Sequence, residues 1–567
     1  MARPAAAVAA VAATSASTAY EFGKPWRIIP RPLLETILNN FAFHHRVPQP
    51  LLLHGPRGVG KTSLLVHRLL PEWNKGPHLA GYVDFASVDC LPWTTSPTAE
   101  LPALRARLER ELEAMAESGV RLGTISSRAV FSALSKWHGI RTALCRVIGP
   151  DRLTKRDEEA TASALWKKAL LALTARLGAS EVNAVLGDAA SERSCSLEEA
   201  AYLSEAVVAL RLAKQVIGMH NEWRREAVRN LNRTGRFSRT IANSATDWPC
   251  LLIQILSEAA EVDNFQPKLV INNIDVLRRA VITDDLSVPA AMYHDSLIWR
   301  VVELGVNDRC LPIFLITSDS YYSYQAFMDF GFRDIFIFRE TYGWTPQQAK
   351  LHMVSDYFSE YEWKVIDEVL GPNPRHLSEL YALKQTGSYW QAEGQSNFED
   401  IVDAYLASLQ VNEVNPAMES ALAILQKFAS DVRSGKVPIE QLHFGAPWRH
   451  PPRTDDPFAS LKWAKIQLMD FIQSLVNTEF GVNYLADGSF EILDDPSLVA
   501  LVEVGLLYVQ RDPSFIRPIS IGIQRCLVRW FVQERIQMSF QDNISFLWQR
   551  IIRGRSYRHL MKEIGYK

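Results

Sequence analysis

Gly55-Pro56-Arg57-Gly58-Val59-Gly60-Lys61-Thr62, entered from the apolar run Leu51-Leu52-Leu53-His54, is the stretch that decides the fold. The pattern G-x-x-x-x-G-K-[ST] needs each residue type for a physical reason. Gly55 and Gly60 predict a tight turn with positive φ and close backbone approach, so that successive amide N–H groups converge on phosphate oxygens. Lys61 adds a mobile ammonium for the outer phosphates of a nucleotide, and Thr62 a hydroxyl for Mg²⁺. The following Ser63-Leu64-Leu65-Val66-His67-Arg68-Leu69-Leu70 reads as a helix stopped by Pro71, with its N-terminal dipole facing the anion. Strand, glycine-rich turn and helix together read as a phosphate-binding loop in an α/β fold.

Outward from the loop, residues 79–89 read as a second strand. A third buried strand is expected at Lys268-Leu269-Val270-Ile271-Asn272-Asn273-Ile274-Asp275, a fourth at residues 311–319 and a fifth at 334–338. Strands alternating with helices imply a parallel sheet. Between the second and third strands, residues 98–245 carry helical leucine spacing (Leu101, Leu104, Leu108, Leu112) and read as a helical insertion. Its basic end, Arg224, Arg225, Arg229, Arg233, Arg236 and Arg239, reads first as a solvated helix face.

The expected organisation is an extension at 1–21, core at 22–97, insertion at 98–245, and core again at 246–342. A small helical region follows at 343–435, with Thr345 as N-cap and Pro346 at the first helical position. A proline-rich linker covers 436–458. Residues 459–535 show helix, glycine, strand, turn and strand, which is winged-helix grammar, and 536–567 form a basic helical tail.

With 61 basic and 63 acidic residues the formal charge is −2, so any nucleic-acid site must be local. The cysteines (Cys90, Cys145, Cys195, Cys250, Cys310, Cys526) show no C-x-x-C and no ligand-like spacing to histidine, which fits a reducing compartment and argues against a zinc site. No apolar run approaches the ~18 residues of a membrane span. An intracellular location, cytoplasm or nucleus, is expected. The alanine- and serine-rich start, acid-free before Glu21, leaves a chloroplast or mitochondrial transit peptide as the alternative.

A phosphate-binding loop that hydrolyses its nucleotide is expected to have an acid at the end of a neighbouring core strand to hold Mg²⁺, and often a second to polarise water. Here those positions are Asn272 and Asn273, whose amides carry no charge and take no proton. Asp275 is the candidate metal-binding and catalytic acid if the strand runs on through Ile274. Thr317 and Ser318, ending the next strand, are candidates for sensing the terminal phosphate.

These segments resemble the AAA+-related P-loop ATPases of the archaeal-ATPase and STAND group, which are also similar to origin-recognition ATPases. The resemblance rests on the loop Gly55–Thr62, the entry Ile28-Ile29-Pro30-Arg31, Lys268–Asp275, Ile313–Ser320, and Leu370-Gly371-Pro372-Asn373-Pro374-Arg375-His376-Leu377. That last stretch is similar to the family's G-G-x-P-x-x-L lid motif, and it implies a sensor role for Arg375. The resemblance also implies a helical lid followed by a winged helix. It places Asn272-Asn273 where the family carries Asp-Glu, which puts turnover in doubt but not binding.

The functional expectation is an ATP- or ADP-binding switch or scaffold with weak or no hydrolysis. Its nucleotide ligands would be Gly55, Pro56, Arg57, Gly58, Val59, Gly60, Lys61, Thr62, Ser63, Asn272, Asn273, Ser318 and Arg375, with Mg²⁺ on Thr62 and Asp275. The alternatives are an active ATPase, self-associating to borrow an arginine from a neighbour, and a nucleic-acid-associated protein. The last would use the winged helix and the tail Arg550, Arg553, Arg555, Arg558, Lys562 and Lys567. A protein partner at the insertion or the winged-helix region is the favoured reading of those surfaces.

Overall fold

The structure is a computed structural model. It describes residues 26–86, 99–135, 139–154, 157, 160–186, 196–233, 247–261, 263–281, 289–306, 310–323, 335–354, 356–385, 397–437, 451–476, 482–483, 495–511 and 514–548. The N-terminal extension 1–21 and the arginines and lysines of the tail lie outside these residues, as do Arg236, Arg239, Cys90 and Cys195.

Five parallel strands make one sheet: β1 (Leu51–His54), β2 (His78–Asp84), β3 (Gln266–Asn272), β4 (Ile313–Thr317) and β5 (Ile337–Glu340), in the order β2-β3-β4-β1-β5. Strands β1, β3 and β4 are buried throughout, as apolar runs in a sheet covered on both faces must be. Side chains alternate between two cores. Leu51, Leu53, Val270, Phe314 and Ile316 face α1 (Pro32–Ala42) and the helix after the loop, where Trp73 stacks on Phe314 at 4.7 Å. Leu52, Leu269, Ile271, Ile313 and Leu315 face the other way.

That second face is covered by the expected insertion, whose main helices are α3 (Leu101–Arg121), α4 (Ser127–Ser135), α5 (Ile140–Ile148), α6 (Ala162–Thr174), α7 (Ala179–Leu186) and α8 (Leu197–Arg233). The leucine stripe Leu101, Leu104, Leu108, Leu112 is buried as its spacing predicts. It packs with α9 (Trp248–Ala259), and insertion and sheet share one continuous core. The insertion is therefore a thickened layer of the α/β unit, with no core of its own.

Three local readings need correction. The helix after the loop does not stop at Pro71. It runs as α2 (Lys61–Leu64), widens into a π-turn at Leu65–Leu69 and continues over Leu70–Trp73. Proline inside a helix lacks an N–H and crowds the preceding turn, and the wider π-turn accommodates both. The same device recurs at Gln410–Val414, just before Pro416. Strand β3 ends at Asn272, because Asn273 adopts a left-handed conformation (φ 56) and α10 (Ile274–Arg279) starts after it. The fifth strand begins at Ile337 and runs to Glu340, later than expected.

Helix α11 (Ala290–Val306) still packs in the core of the sheet and insertion. The remaining chain forms a second body, which comprises α12 (Pro346–Met353), α13 (Glu360–Val369), α14 (Pro374–Gln385), α15 (Phe398–Leu409) and α16 (Asn415–Arg433). Capping boxes at Thr345/Gln348 and Ser359/Glu362 start α12 and α13. Beyond the linker come α17 (Pro457–Val476), β6 (Val482–Asn483), α18 (Pro496–Glu503), β7 (Leu507–Val509), β8 (Phe515–Pro518), α19 (Ile521–Gln537) and α20 (Phe540–Trp548). Strands β6, β8 and β7 pair antiparallel in that order, and β6 was not legible in the sequence. Residues from both sides of the linker, together with Ile29, bury one shared core. No helix among the described residues is long and apolar enough to cross a membrane.

Candidate functional site

From β1 the chain leaves for β2 at the far edge, whereas from its neighbour β4 it crosses to β5 on the other side. Connections that part in this way open a crevice at the carboxyl ends of the two strands, where open α/β sheets bind ligands. The loop Gly55–Thr62 follows β1 at that crevice, and Ser318 follows β4.

Within the loop, the left-handed residues are Gly58 (φ 77) and Gly60 (φ 82). Gly60 is also the N-cap of α2. The expectation of positive φ at Gly55 is not met, and its requirement is steric. A Cβ there would stand 2.1 Å from the backbone oxygen of Thr341, which follows β5. Lys61 is buried and donates to the carbonyls of Gly55 (2.7 Å) and Pro56 (2.8 Å) and to Ser318 Oγ (2.9 Å). Burial lowers its ammonium to about 7, with Arg57 and Arg31 lowering it further and Asp275 opposing them. Arg57 is likewise lowered by burial and supported by Asp275 and Asp319. Ser63 is exposed, and Val59 is buried.

Thr62 Oγ1 lies 3.5 Å from Asn272 Oδ1. Asn272 Nδ2 donates to Asp84 Oδ2 at 2.8 Å and lies 3.2 Å from the Tyr82 hydroxyl, and Asn273 Nδ2 donates to Asp84 Oδ1 at 2.8 Å. The register pairs Asp84 directly with Asn272. Asp84 also accepts from the Ala86 amide at 2.9 Å. The sequence reading missed this carboxylate because it carried the second strand on to residue 89, whereas β2 ends at Asp84 and only its pairing with β3 sets that carboxylate beside Asn272.

Asp275 is not on a strand. It occupies the first turn of α10, where Thr317 Oγ1 donates to Oδ1 at 2.7 Å and Arg279 pairs with Oδ2. Arg279 also reaches Asp319 Oδ2 at 3.3 Å, and burial raises the Asp319 carboxyl while Arg279 opposes the rise. Placing Asp275 on Mg²⁺ through an extended β3 therefore fails in its premise. Its two oxygens already serve β4 and α10, and the residue beside Thr62 is Asn272.

For Mg²⁺ the fitting donors are the hard oxygens Thr62 Oγ1 and Asn272 Oδ1. Both are neutral, so the ion's charge would have to be met by the phosphates it also binds. Among the described residues no group of three or more His, Cys, Asp or Glu side chains forms an all-protein cage.

The second body touches the loop at two points. The Arg375 amide donates to Gly58 O at 3.2 Å, and Asn373 Nδ2 lies 3.5 Å from Arg57 O. The Arg375 guanidinium pairs with Glu379 Oε1 at 2.8 Å. Behind the loop, the imidazole of buried His54 bonds the Tyr508 hydroxyl of β7 at 2.9 Å, and that hydroxyl donates to Glu340 Oε1 at 2.8 Å. Burial first, then Arg511 and Lys61, lowers His54 to about 3, so it is neutral. On the entry segment, Arg31 Nη1 donates to Thr341 Oγ1 at 2.9 Å, and burial lowers its guanidinium to about 10. Glu35 accepts from the Arg31 amide and pairs with Arg68, tying α1 to the helix after the loop.

No protein-family model matches the chain, and no curated protein or solved structure matches it significantly.

Proposed function

We propose that the chain binds ATP or ADP with Mg²⁺ in the crevice at β1 and β4, as a nucleotide-dependent switch or scaffold with weak or no hydrolysis. The observation that carries this reading is the loop itself. Gly58 and Gly60 are left-handed, Gly55 is pressed against Thr341, and Lys61 lies within the loop at the switch point of a parallel sheet. The proposed ligands are the backbone of Gly55–Thr62, the Lys61 ammonium, the Thr62 hydroxyl and Ser318. This reading would make the chain an AAA+-related P-loop protein of the archaeal-ATPase or STAND type. Helices α12–α16 would then be the lid, and α17–α19 with β6–β8 the winged helix.

Weak turnover is supported by Asn272 and Asn273, which take no proton, and by the commitment of Asp275 to Thr317 and Arg279. The switch reading is supported by the two contacts that the second body makes with the loop. A nucleotide shifts such an arrangement only through different affinities for its docked and undocked forms, which needs no hydrolysis. A nucleic-acid role for the β7–β8 hairpin is less well supported. Its arginines lie over internal rings, Arg511 over Phe338 at 4.4 Å and Arg517 over Tyr342 at 5.1 Å, and Tyr508 is buried.

The test is equilibrium binding of fluorescent ATP and ADP with Mg²⁺ to the full chain and to Lys61→Ala. The substitution is expected to abolish binding. Equal binding by both proteins would remove the central claim. Phosphate release well above the Lys61→Ala background would remove the weak-hydrolysis part alone.

A further inference from the structure

An acid that the resemblance to AAA+-related ATPases leads one to expect on β3 has a counterpart one strand away. Strand β2 lies beside β3 in register, so Asp84 sits level with Asn272 at the same end of the sheet as Thr62. The carboxylate takes both asparagine amides, through Oδ2 from Asn272 and through Oδ1 from Asn273, each at 2.8 Å. This fixes the orientation of Asn272. Turned over, its carbonyl oxygen would face the Asp84 carboxylate and the Tyr82 hydroxyl, and its NH₂ would face Thr62. In the observed orientation Nδ2 meets two oxygens, and Oδ1 is the atom left facing Thr62 Oγ1 at 3.5 Å.

We infer that Asp84 is the positioning acid of the metal half of this site, acting through Asn272. This deepens the nucleotide-binding reading and rests on it. The chemistry is that of an outer carboxylate behind a metal-facing group. An amide N–H donating to a carboxylate is a charge-assisted bond, and it polarises the amide so that its oxygen becomes a better acceptor. Asn272 would then present to a Thr62-associated Mg²⁺, or to one of the ion's waters, an oxygen both aimed and enriched in charge. Asn273 holds the other carboxylate oxygen, so the acid is clamped between two neutral donors. The arrangement keeps one negative charge near the ion but leaves no carboxylate on β3 facing the crevice to take a proton from water. That combination fits Mg²⁺-dependent binding with slow turnover.

The experiment measures the Kd of ATP with Mg²⁺ and with EDTA for wild type, Asp84→Asn, Asp84→Asn/Asn272→Asp and Lys61→Ala, with a thermal melt of each. Removing the outer carboxylate is expected to cut the Mg²⁺-dependent gain in affinity about tenfold and to leave the EDTA value unchanged. The exchanged pair keeps one acid and one amide between β2 and β3, so it should fold even if Asp84→Asn does not. It should also restore the Mg²⁺-dependent gain to at least the wild-type level. A merely structural Asp84 would lower the melting temperature and weaken binding equally with and without Mg²⁺. That outcome, or an exchanged pair that folds but gains nothing from Mg²⁺, would overturn the assignment. Wild type no better than Lys61→Ala in both conditions would overturn the nucleotide reading itself, and this inference with it.

Discussion

At the scale of single residues, Lys61 is the group whose chemistry a ligand would change most. Its ammonium is buried against two carbonyls and Ser318, and burial with two nearby arginines holds it near 7 rather than at its ordinary high value. A phosphate beside it would supply the missing negative charge and return the proton affinity upward. Between about pH 7 and the restored value, the free protein has lost a proton that the complex keeps. Binding must therefore take up a proton, and affinity must fall as pH rises, by at most about tenfold per unit. Calorimetry of ATP binding in two buffers of different ionisation enthalpy, from about pH 7.5 upward, should show uptake approaching ~1 proton. Lys61→Arg, always charged, should show none. A flat affinity with no uptake would mean that phosphate does not meet Lys61.

The loop and its flanking elements show what one sequence can and cannot convey. The strand, glycines and lysine were legible because each is a local requirement of backbone geometry, but the reason for Gly55 was not. Its constraint comes from Thr341, nearly three hundred positions away, whereas Gly60 meets nothing and is constrained by φ alone. The two predict different costs. Gly60→Ala should fold with a loss of about 1 kcal/mol. Gly55→Ala must move backbone, costing about 1–3 kcal/mol and displacing the loop, so its affinity for nucleotide should drop much further. Denaturant titration with binding measurements checks both, and equal effects would contradict the steric account. Long-range placement explains the other misses. The end of β3 was misread because a left-handed asparagine is not distinguishable from an extended one in sequence. Asp84 was passed over because only the β2–β3 pairing brings it to Asn272. The Pro71 helix was cut short because the π-turn that accommodates proline leaves no composition signal.

Across the whole molecule, two neutral histidines join parts that are distant in sequence. His54, at the end of β1, meets Tyr508 of β7. His376, on α14, bonds the Tyr405 hydroxyl at 2.8 Å and Ser520 Oγ at 2.7 Å, and Ser520 is the N-cap of α19. Tyr405 in turn donates to Glu379, the partner of Arg375, whose amide touches the loop. Burial, then Arg375, lowers His376 to about 3, the same value that burial, Arg511 and Lys61 impose on His54. The sign follows from proton counts. Below about pH 6.5 an unfolded or undocked histidine takes a proton that the packed one refuses, so stability falls as pH falls toward 3. The slope is up to about 1.4 kcal/mol per pH unit for each. His294, also lowered by burial, contributes in the same window from within the α/β unit. Carboxylates whose acidity is raised, such as Asp157 beside Lys168, lose their contribution only below the usual carboxylate range, so the two effects separate. Melting temperature measured from about pH 7 to 4.5 should fall for wild type and fall less steeply for His54→Gln/His376→Gln, even where that variant starts lower. Because His54 meets Tyr508 across the contact between the two bodies, acid should also release the β7–β8 side before the sheet unfolds. Tyrosine fluorescence from Tyr508, compared between wild type and Tyr508→Phe, should report that step ahead of the loss of helical circular dichroism. A double variant with the wild-type pH slope would show that these two imidazoles do not set the acid sensitivity.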